Sequence, residues 1–446
     1  MGSPPCYDVL GIGFGPANIA LAAAMEEAFE EDGGTLPTMK FLEGEVDPVW
    51  QGGMLLDGSN IQNNPIRDLV TLRNPRSRHS YINYLHQSGR LLSHLNLPQE
   101  FPLRREYAQY IGWVRRSFDH LVGYGRPVVS VEVVRDGGRR VWELTTRQRE
   151  RYRGRSLVMG TGRTPYVPPP FSSLDDDRVL HLTRYLYRLH DLDREPRSVA
   201  VIGGSQSAVE IVLDLARRLP RTEVHLCVRS FGLRLKDTSP FSEEGFFPEF
   251  TDYYYQASRA GKRILDAYMR PTNYSAADAD VLHELYLLLY EQGIKGRQRV
   301  HVHRNHAVRK LSTVEGGLVL AAEDVHTGEP LELTADLIVL ATGFRDLGPA
   351  AHQEPYPPLL AGVADSFAFD SDGYLAIDPD YRVVTEQDGT PPLFLNGLCE
   401  TSHGIGDAGS FSLLSLRAGT LCRRLTELTT LPRAVATRPA PTARLV

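Results

Sequence analysis

The sequence predicts an α/β protein: two Rossmann-like dinucleotide-binding domains with a small, mainly helical region beside them. Three observations predict this. An apolar run, three spaced glycines and an Ala/Leu/Glu-rich helical stretch follow one another from Val9 to Phe29. The same pattern returns near residue 200. Short strand-like runs alternate with helical stretches between and after them, as in parallel sheets.

Val9 to Ile12 reads as a buried strand, and Gly11, Gly13 and Gly15 turn the chain into a helix that opens with Pro16 and Ala17. Gly11 permits the tight turn, and Gly13 lets a pyrophosphate approach the backbone. The helix N-terminus offers unpaired N–H groups and partial positive charge. Alone, such a triplet also fits an ordinary βα turn. Thr38 to Glu43 reads as the second strand. Glu43 is placed to accept hydrogen bonds from adenosine ribose hydroxyls, or is a surface acid at a strand end. It lies about 30 residues beyond Gly11, against the usual ~20, because of the extra loop from Glu30 to Pro37.

Residues 47–86 do not read as a Rossmann segment. They are amide-rich and hold an isolated Trp50, which suits the wall of a site. Val128–Val131 and Val141–Thr145 alternate like meander strands. Ser156 to Met159 is another strand, ending in Gly160-Thr161-Gly162, and Pro165 marks where the chain leaves its first domain.

The second glycine turn is Gly203-Gly204-Ser205-Gln206-Ser207, after Val199–Ile202 and before a helix from Val209 to Leu219. Ser205 occupies the usual place of a glycine. The following strand, Glu223 to Val228, ends in Arg229 and not in an acid. A cation there favours a 2′-phosphate, hence NADPH over NADH, or is a solvated surface arginine. One dinucleotide unit inserted into another is the layout of FAD/NAD(P)H oxidoreductases. Residues 250–293 read as helices and Leu331 to Leu340 as one strand, leading into Ala341-Thr342-Gly343. Pro392 to Gly397 closes the first domain, and a last helix runs to about Leu428.

The expected domains are 1–165 (FAD-binding, with the substrate-side loop 47–86) and 166–335 (NADPH-binding, with a helical insert at about 236–293). Residues 336–431 return to the FAD domain with an active-site closing loop, and 432–446 form a disordered tail. The chain has 446 residues, 42% apolar and 23% charged, with net charge −6, so no nucleic-acid footprint is visible. Cys6, Cys227, Cys399 and Cys422 show neither metal-ligand spacing nor a secreted framework, which points to a reducing cytoplasm. No apolar run reaches the length of a membrane span, and no signal peptide is evident. A small-molecule substrate is expected, with no nucleic acid, membrane or metal.

Specific motifs then go further. Trp50-x-x-Gly53-Met54, Gln62, and Arg67-Asp68-Leu69-x-Thr71-x-Arg73-Asn74-Pro75 resemble the flavin-dependent N-hydroxylating monooxygenases. That family includes the L-ornithine and L-lysine N-monooxygenases of siderophore biosynthesis. The resemblance continues through Pro102 to Trp113. Asp237 to Pro248 is similar to the family's Asp-x-Ser-Pro-Phe-x-Asn-Glu-x-Phe-x-Pro, and Asn273-Tyr274 and His403 to Ser415 match later segments.

The resemblance implies a cycle in which NADPH reduces FAD and O2 is captured as a C4a-hydroperoxide. A neutral amine then takes the distal oxygen and becomes a hydroxylamine. It implies Gln62 and Trp50 beside the flavin and Asn273 holding the substrate's amino-acid end, the three counted as the catalytic set. Thr342, Gly343, Ser412 and Leu413 would contact cofactor, and Arg67, Asn273, His403, Asp407 and Ser410 substrate. It also implies a homo-oligomer, a dimer or tetramer. For Asn273 a helix cap is the other reading.

Three departures fall on substrate-side elements. Arg67 stands for Lys, Asn60 to Pro65 replaces Lys-Met-Gln-Val/Ile-Ser-Phe, and the His403-to-Ser415 segment is about four residues longer. They suggest kept chemistry with an altered amine pocket. An ornithine- or lysine-like amine is the default. Alternatives are aspartate, gripped by Arg67 and Arg73, a diamine, or a Baeyer–Villiger or sulfur oxidation.

Overall fold

The computed structural model describes residues 4–32 and 36–430; the expected tail at 432–446 lies outside them. Strand β1 (Cys6–Ile12) is central in the first sheet. It pairs in parallel with β2 (Met39–Leu42) on one side and β6 (Arg151–Met159) on the other, and β2 pairs with β3 (Val122–Gly123). Val9 and Leu10 are fully buried because both faces of this sheet are covered. Helix Pro16–Asp32 is apolar nearly all round from Ala20 to Met25. The last helix, Leu414–Thr430, packs on it, so it has no solvent face along that stretch. The alternating segments form the antiparallel hairpin β4 (Val128–Asp136) and β5 (Arg139–Thr146), and β5 pairs antiparallel with β6.

The second sheet is parallel throughout. It contains β7 (Val179–His181), β8 (Ser198–Ile202), β9 (Glu223–Cys227) and β10 (Val300–His303). A separate antiparallel sheet follows, β11 (His306–Val314), β12 (Gly317–Asp324) and β13 (Pro330–Ala335). Then comes β14 (Leu337–Leu340), which inserts between β8 and β7 to give the order β10-β9-β8-β14-β7.

Two sequence expectations change here. Leu331 to Leu340 is not one strand but two in different sheets, broken at Asp336. The Asp336 carboxylate accepts the Arg197 N–H at 2.7 Å, and its own N–H donates to Ser198 at 2.9 Å. A domain boundary at 336 therefore cuts off a central strand of the second sheet. The chain returns to the first sheet only after Gly343, and β15 (Leu393–Leu395) pairs with β6. The outgoing and returning segments run side by side: Tyr166 donates to Gly343 at 2.9 Å and Arg345 to Thr164 at 2.8 Å.

The helical stretch after residue 236 divides. Helix Arg259–Met269 faces the returning chain, with Arg259 on Asp370 and Lys262 on the Ser402 carbonyl. Helix Ala279–Ile294 packs on helix Gln206–Arg218, and its Leu285 joins the second unit's core.

A buried ion pair joins the two units. Arg104, on helix Arg104–Ser117, makes a two-pronged contact with Glu210 at 2.9 and 3.0 Å, with both side chains under 10% exposed. Its remaining donors reach the Met54 and Asn60 carbonyls. Removing one partner strands the other charge in the seam. Glu210→Ala is expected to cost about 3–5 kcal/mol, whereas a paired apolar replacement of both recovers most of it. Urea unfolding of the single and double variants checks this.

Candidate active site

A cleft of about 600 Å³ opens above the first glycine turn. It runs from Gly13, Gly15 and Pro16 past Glu43 to Trp50 and Ser410. Gly13 has φ +79°, and a Cβ there would stand 2.6 Å from the Gly160 carbonyl oxygen. Glu43 lies at the end of β2, its carboxylate accepting the Phe14 N–H at 2.8 Å. Bare backbone, a helix N-terminus and an acid thus stand together at one end of the cleft, the three features a dinucleotide cradle uses. Trp50 meets Phe411 edge-on at 5.3 Å, and Tyr107 meets Phe411 at 5.1 Å. Trp50 and Phe411 line the cleft, and buried Tyr107 packs behind them.

The second turn is equally constrained. Gly203 has φ +150°, and a Cβ there would lie 2.3 Å from the Ala341 oxygen. Ser205 starts helix Gln206–Arg218 without a side-chain capping bond. The Gln206 side chain is already engaged, donating to Glu210 at 3.0 Å and accepting the Asp278 N–H at 2.8 Å. Ser207 follows in the first helical turn. Arg229 is exposed just past β9. An apolar hollow of about 230 Å³ lies nearby, between Val228, Leu233, Tyr286 and Arg304.

Other expected residues meet different partners. Gln62 does not line the first cleft. It has φ +52°, and its buried Nε2 lacks a well-formed hydrogen bond while facing the Asp278 carboxylate, beside the second glycine turn. Thr342 and Gly343 bond the Tyr166 crossover, and the neighbouring Phe344 is the residue on the cleft wall. Ser412 and Leu413 are buried behind the wall, while Ser410 and Phe411 line it.

Asp407 lines the cleft but forms a 2.6 Å ion pair with Arg417, both side chains 2% exposed, and accepts the Cys399 N–H. That commitment leaves it a structural carboxylate rather than a substrate grip. His403 is buried against Tyr381, at 4.2 Å between ring centres, and bonds Ser402. Burial lowers its pKa to about 4, so it is neutral and packed within the protein. Arg73 is held by Glu27 at 2.6 Å and is not at the cleft.

Two expected residues do converge. Asn273 is half-buried, its Nδ2 buried and unpartnered, and a Cβ on Gly409 would lie 2.9 Å from that nitrogen. Arg67 donates through Nη1 to Ser412 at 3.2 Å, and Ser410 donates to Ser412 at 2.8 Å. Asn273 and Arg67 thus flank residues 409–412 from two sides.

Three residues were missed. Arg67 also pairs with Glu243 at 3.2 Å. Glu243 stands where the quoted family pattern has Asn, so the signal was present in the sequence. Arg163 lines the cleft and bonds Asp346 at 2.9 Å and Tyr274 at 3.0 Å. Glu400 accepts from Tyr274 at 2.7 Å. Among the described residues, no group of His, Cys, Asp and Glu is placed to hold a metal, and no helix is long and apolar enough to cross a membrane.

The family model for L-lysine 6-monooxygenase/L-ornithine 5-monooxygenase matches residues 5–346. The L-ornithine N(5)-monooxygenase of Burkholderia cepacia is 37% identical over 409 residues, covering 89% of this chain and 90% of its own. The ornithine N-hydroxylase of Kutzneria sp. 744, in a structure with reduced FAD, NADP+ and L-ornithine, superposes with a TM-score of 0.87 at 32% identity. That match covers 96% of this chain and 100% of the other. The L-lysine 6-monooxygenase of Pseudomonas syringae gives 0.83 at 36% identity, covering 95% and 99%. The chain belongs to the lysine/ornithine N-monooxygenase family, flavin-dependent N-hydroxylating enzymes.

Two outcomes follow from this geometry. Gly13→Ala should purify without the yellow flavin absorbance, because its Cβ would strike the Gly160 carbonyl and force the turn out of shape. Burial raises the Glu400 carboxyl from 4.5 to about 8. The fold therefore keeps a proton that the unfolded chain loses above pH 4.5. Stability from this group is greatest below that pH and is lost as pH climbs to about 8. Glu400→Gln should flatten this slope in thermal unfolding measured across that window.

Proposed function

We propose that this chain hydroxylates the terminal primary amine of an ornithine- or lysine-like substrate, with FAD in the first cleft and NADPH on the second glycine turn. The balance is R–NH2 + O2 + NADPH + H+ → R–NHOH + H2O + NADP+. Bound FAD, reduced by NADPH, supplies the activation of O2.

The chain's own residues hold and exclude. The Gly13 turn and the helix N-terminus at Pro16 accept a pyrophosphate, and Glu43 accepts from ribose hydroxyls. Trp50, Tyr107 and Phe411 keep water from the inner end. Gly203 with the start of helix Gln206–Arg218 receives the second pyrophosphate, and Arg229 suits a 2′-phosphate. Asn273 offers its unpartnered amide to the bound ligand, and Arg67 offers a guanidinium to a carboxylate.

The observation that carries this reading is the meeting of the cleft, Asn273 and Arg67 on residues 409–412. The test is hydroxylamine formation by FAD-loaded protein with NADPH, against ornithine, lysine, putrescine, aspartate and glutamate. Ornithine or lysine should give hydroxylamine. Arg67→Ala should raise KM for carboxylate-bearing amines roughly 10–100-fold, the range for a hydrogen bond to a charged group. NADPH oxidation with no hydroxylamine from any amine would return the chemistry to other flavin oxygenations.

A further inference from the structure

Glu243 ends the short helix Pro240–Glu243. Its N–H donates to Ser239 at 2.9 Å, and the preceding Ser242 donates to Asp237 at 2.7 Å, so the carboxylate projects from an anchored turn. One of its oxygens meets Arg67 at 3.2 Å, and the other has no hydrogen-bond partner among the described residues. Both side chains keep about a quarter of their surface exposed, 24% for Arg67 and 29% for Glu243. A ligand can reach either charge.

We propose that Glu243 is the counter-charge for a second, protonated nitrogen of the substrate, and so determines which amines the site accepts. This rests on the N-hydroxylation reading, in which the reacting nitrogen is neutral. Arg67 and Glu243 together carry no net charge. A dicarboxylic amine would bring two negative charges to a site with one cation already paired. Arg73, the other cation that could have helped, is held by Glu27.

A substrate with a second ammonium finds Glu243 opposite it. Where that ammonium sits beside a carboxylate, the two ion pairs match crosswise: carboxylate on Arg67, ammonium on Glu243. Where it stands alone, as in a free diamine, Glu243 serves it and Arg67 stays on Ser412. The shared requirement is the second ammonium.

The experiment is calorimetric binding to oxidised, FAD-loaded protein, paired with kcat and KM for hydroxylamine formation. Ornithine carries both groups, putrescine the second ammonium only, and 5-aminopentanoate the carboxylate only; aspartate is the fourth ligand. Wild type should bind ornithine or putrescine about tenfold or more tighter than 5-aminopentanoate. Glu243→Gln should weaken that favoured ligand roughly 10–100-fold, in Kd and KM more than in kcat, and leave 5-aminopentanoate little changed. Glu243→Asp should restore part of the loss. Ornithine favoured over putrescine, with the gain lost in Arg67→Gln, assigns an amino acid; putrescine bound equally well assigns a free diamine.

Equal weakening of 5-aminopentanoate and ornithine in Glu243→Gln would make Glu243 structural and overturn the proposal. So would an unchanged affinity for both second-ammonium ligands, or tightest binding of aspartate. If the binding pattern holds but no amine yields hydroxylamine, the N-hydroxylation reading fails and the role of Glu243 stands.

Discussion

The site depends on a chain of buried polar groups that ties the end of the sequence to its beginning. Asn18, on the first helix, donates to the Ile12 and Gly13 carbonyls at the glycine turn. Its oxygen accepts from Asn396, whose oxygen accepts from Arg417, which pairs with Asp407. Asp407 in turn takes the Cys399 N–H. An isolated buried ion pair is a weak stabiliser, because desolvation offsets its attraction. Here each member has further hydrogen bonds, so the network specifies one arrangement. Residues 407–414 are thereby fixed against the first glycine turn. Gly409 then has to be glycine, since a Cβ would strike Tyr274 at 2.6 Å.

A second constraint sets the two dinucleotide units against each other. The Arg104–Glu210 pair closes one seam and the antiparallel crossover at Tyr166 and Gly343 closes the other. Glu210 also accepts from Gln206, which holds Asp278, which faces Gln62. One connected set of side chains therefore runs from the loop after Trp50 to the second glycine turn. A shift of one unit on the other would expose a buried charge, so the distance between the cofactor sites is set by electrostatics as much as by packing.

The glycine turns, the strands around them and the hairpin at Val128 to Thr146 were legible because each is specified locally, by period, by turn chemistry or by a position only glycine can fill. The break at Asp336 was not. Apolar periodicity shows that residues are buried and is silent about which sheet buries them. Asp407 and His403 were read as site groups because the family resemblance implied it. Their partners, Arg417 and Tyr381, are fixed only by the folded chain. The neighbour of Gln62 was hidden for the same reason, since what it faces comes from residue 278. The convergence of Asn273 and Arg67 was legible through the family resemblance and not through composition or spacing.

Arg67 and Glu243 are best understood as one change rather than two. A lysine ammonium is a point charge, and a neighbouring carboxylate would compete directly with the substrate for it. A guanidinium has five N–H donors in a planar fork, so it can hold Glu243 and Ser412 on one nitrogen and still present an edge to a ligand. An acid at 243 beside a lysine would weaken the carboxylate grip. An arginine at 67 beside the Asn of the family pattern would lack the facing carboxylate and carry an unbalanced charge. Together they bring the local charge to zero and add a carboxylate that the pattern lacks. The third departure, the longer segment before Ser415, brings Ser412 to the same nitrogen, with Ser410 donating to Ser412 behind it. Arg67, Glu243 and the lengthened segment thus meet at one guanidinium, the Glu243 carboxylate and the Ser412 hydroxyl sharing one of its nitrogens.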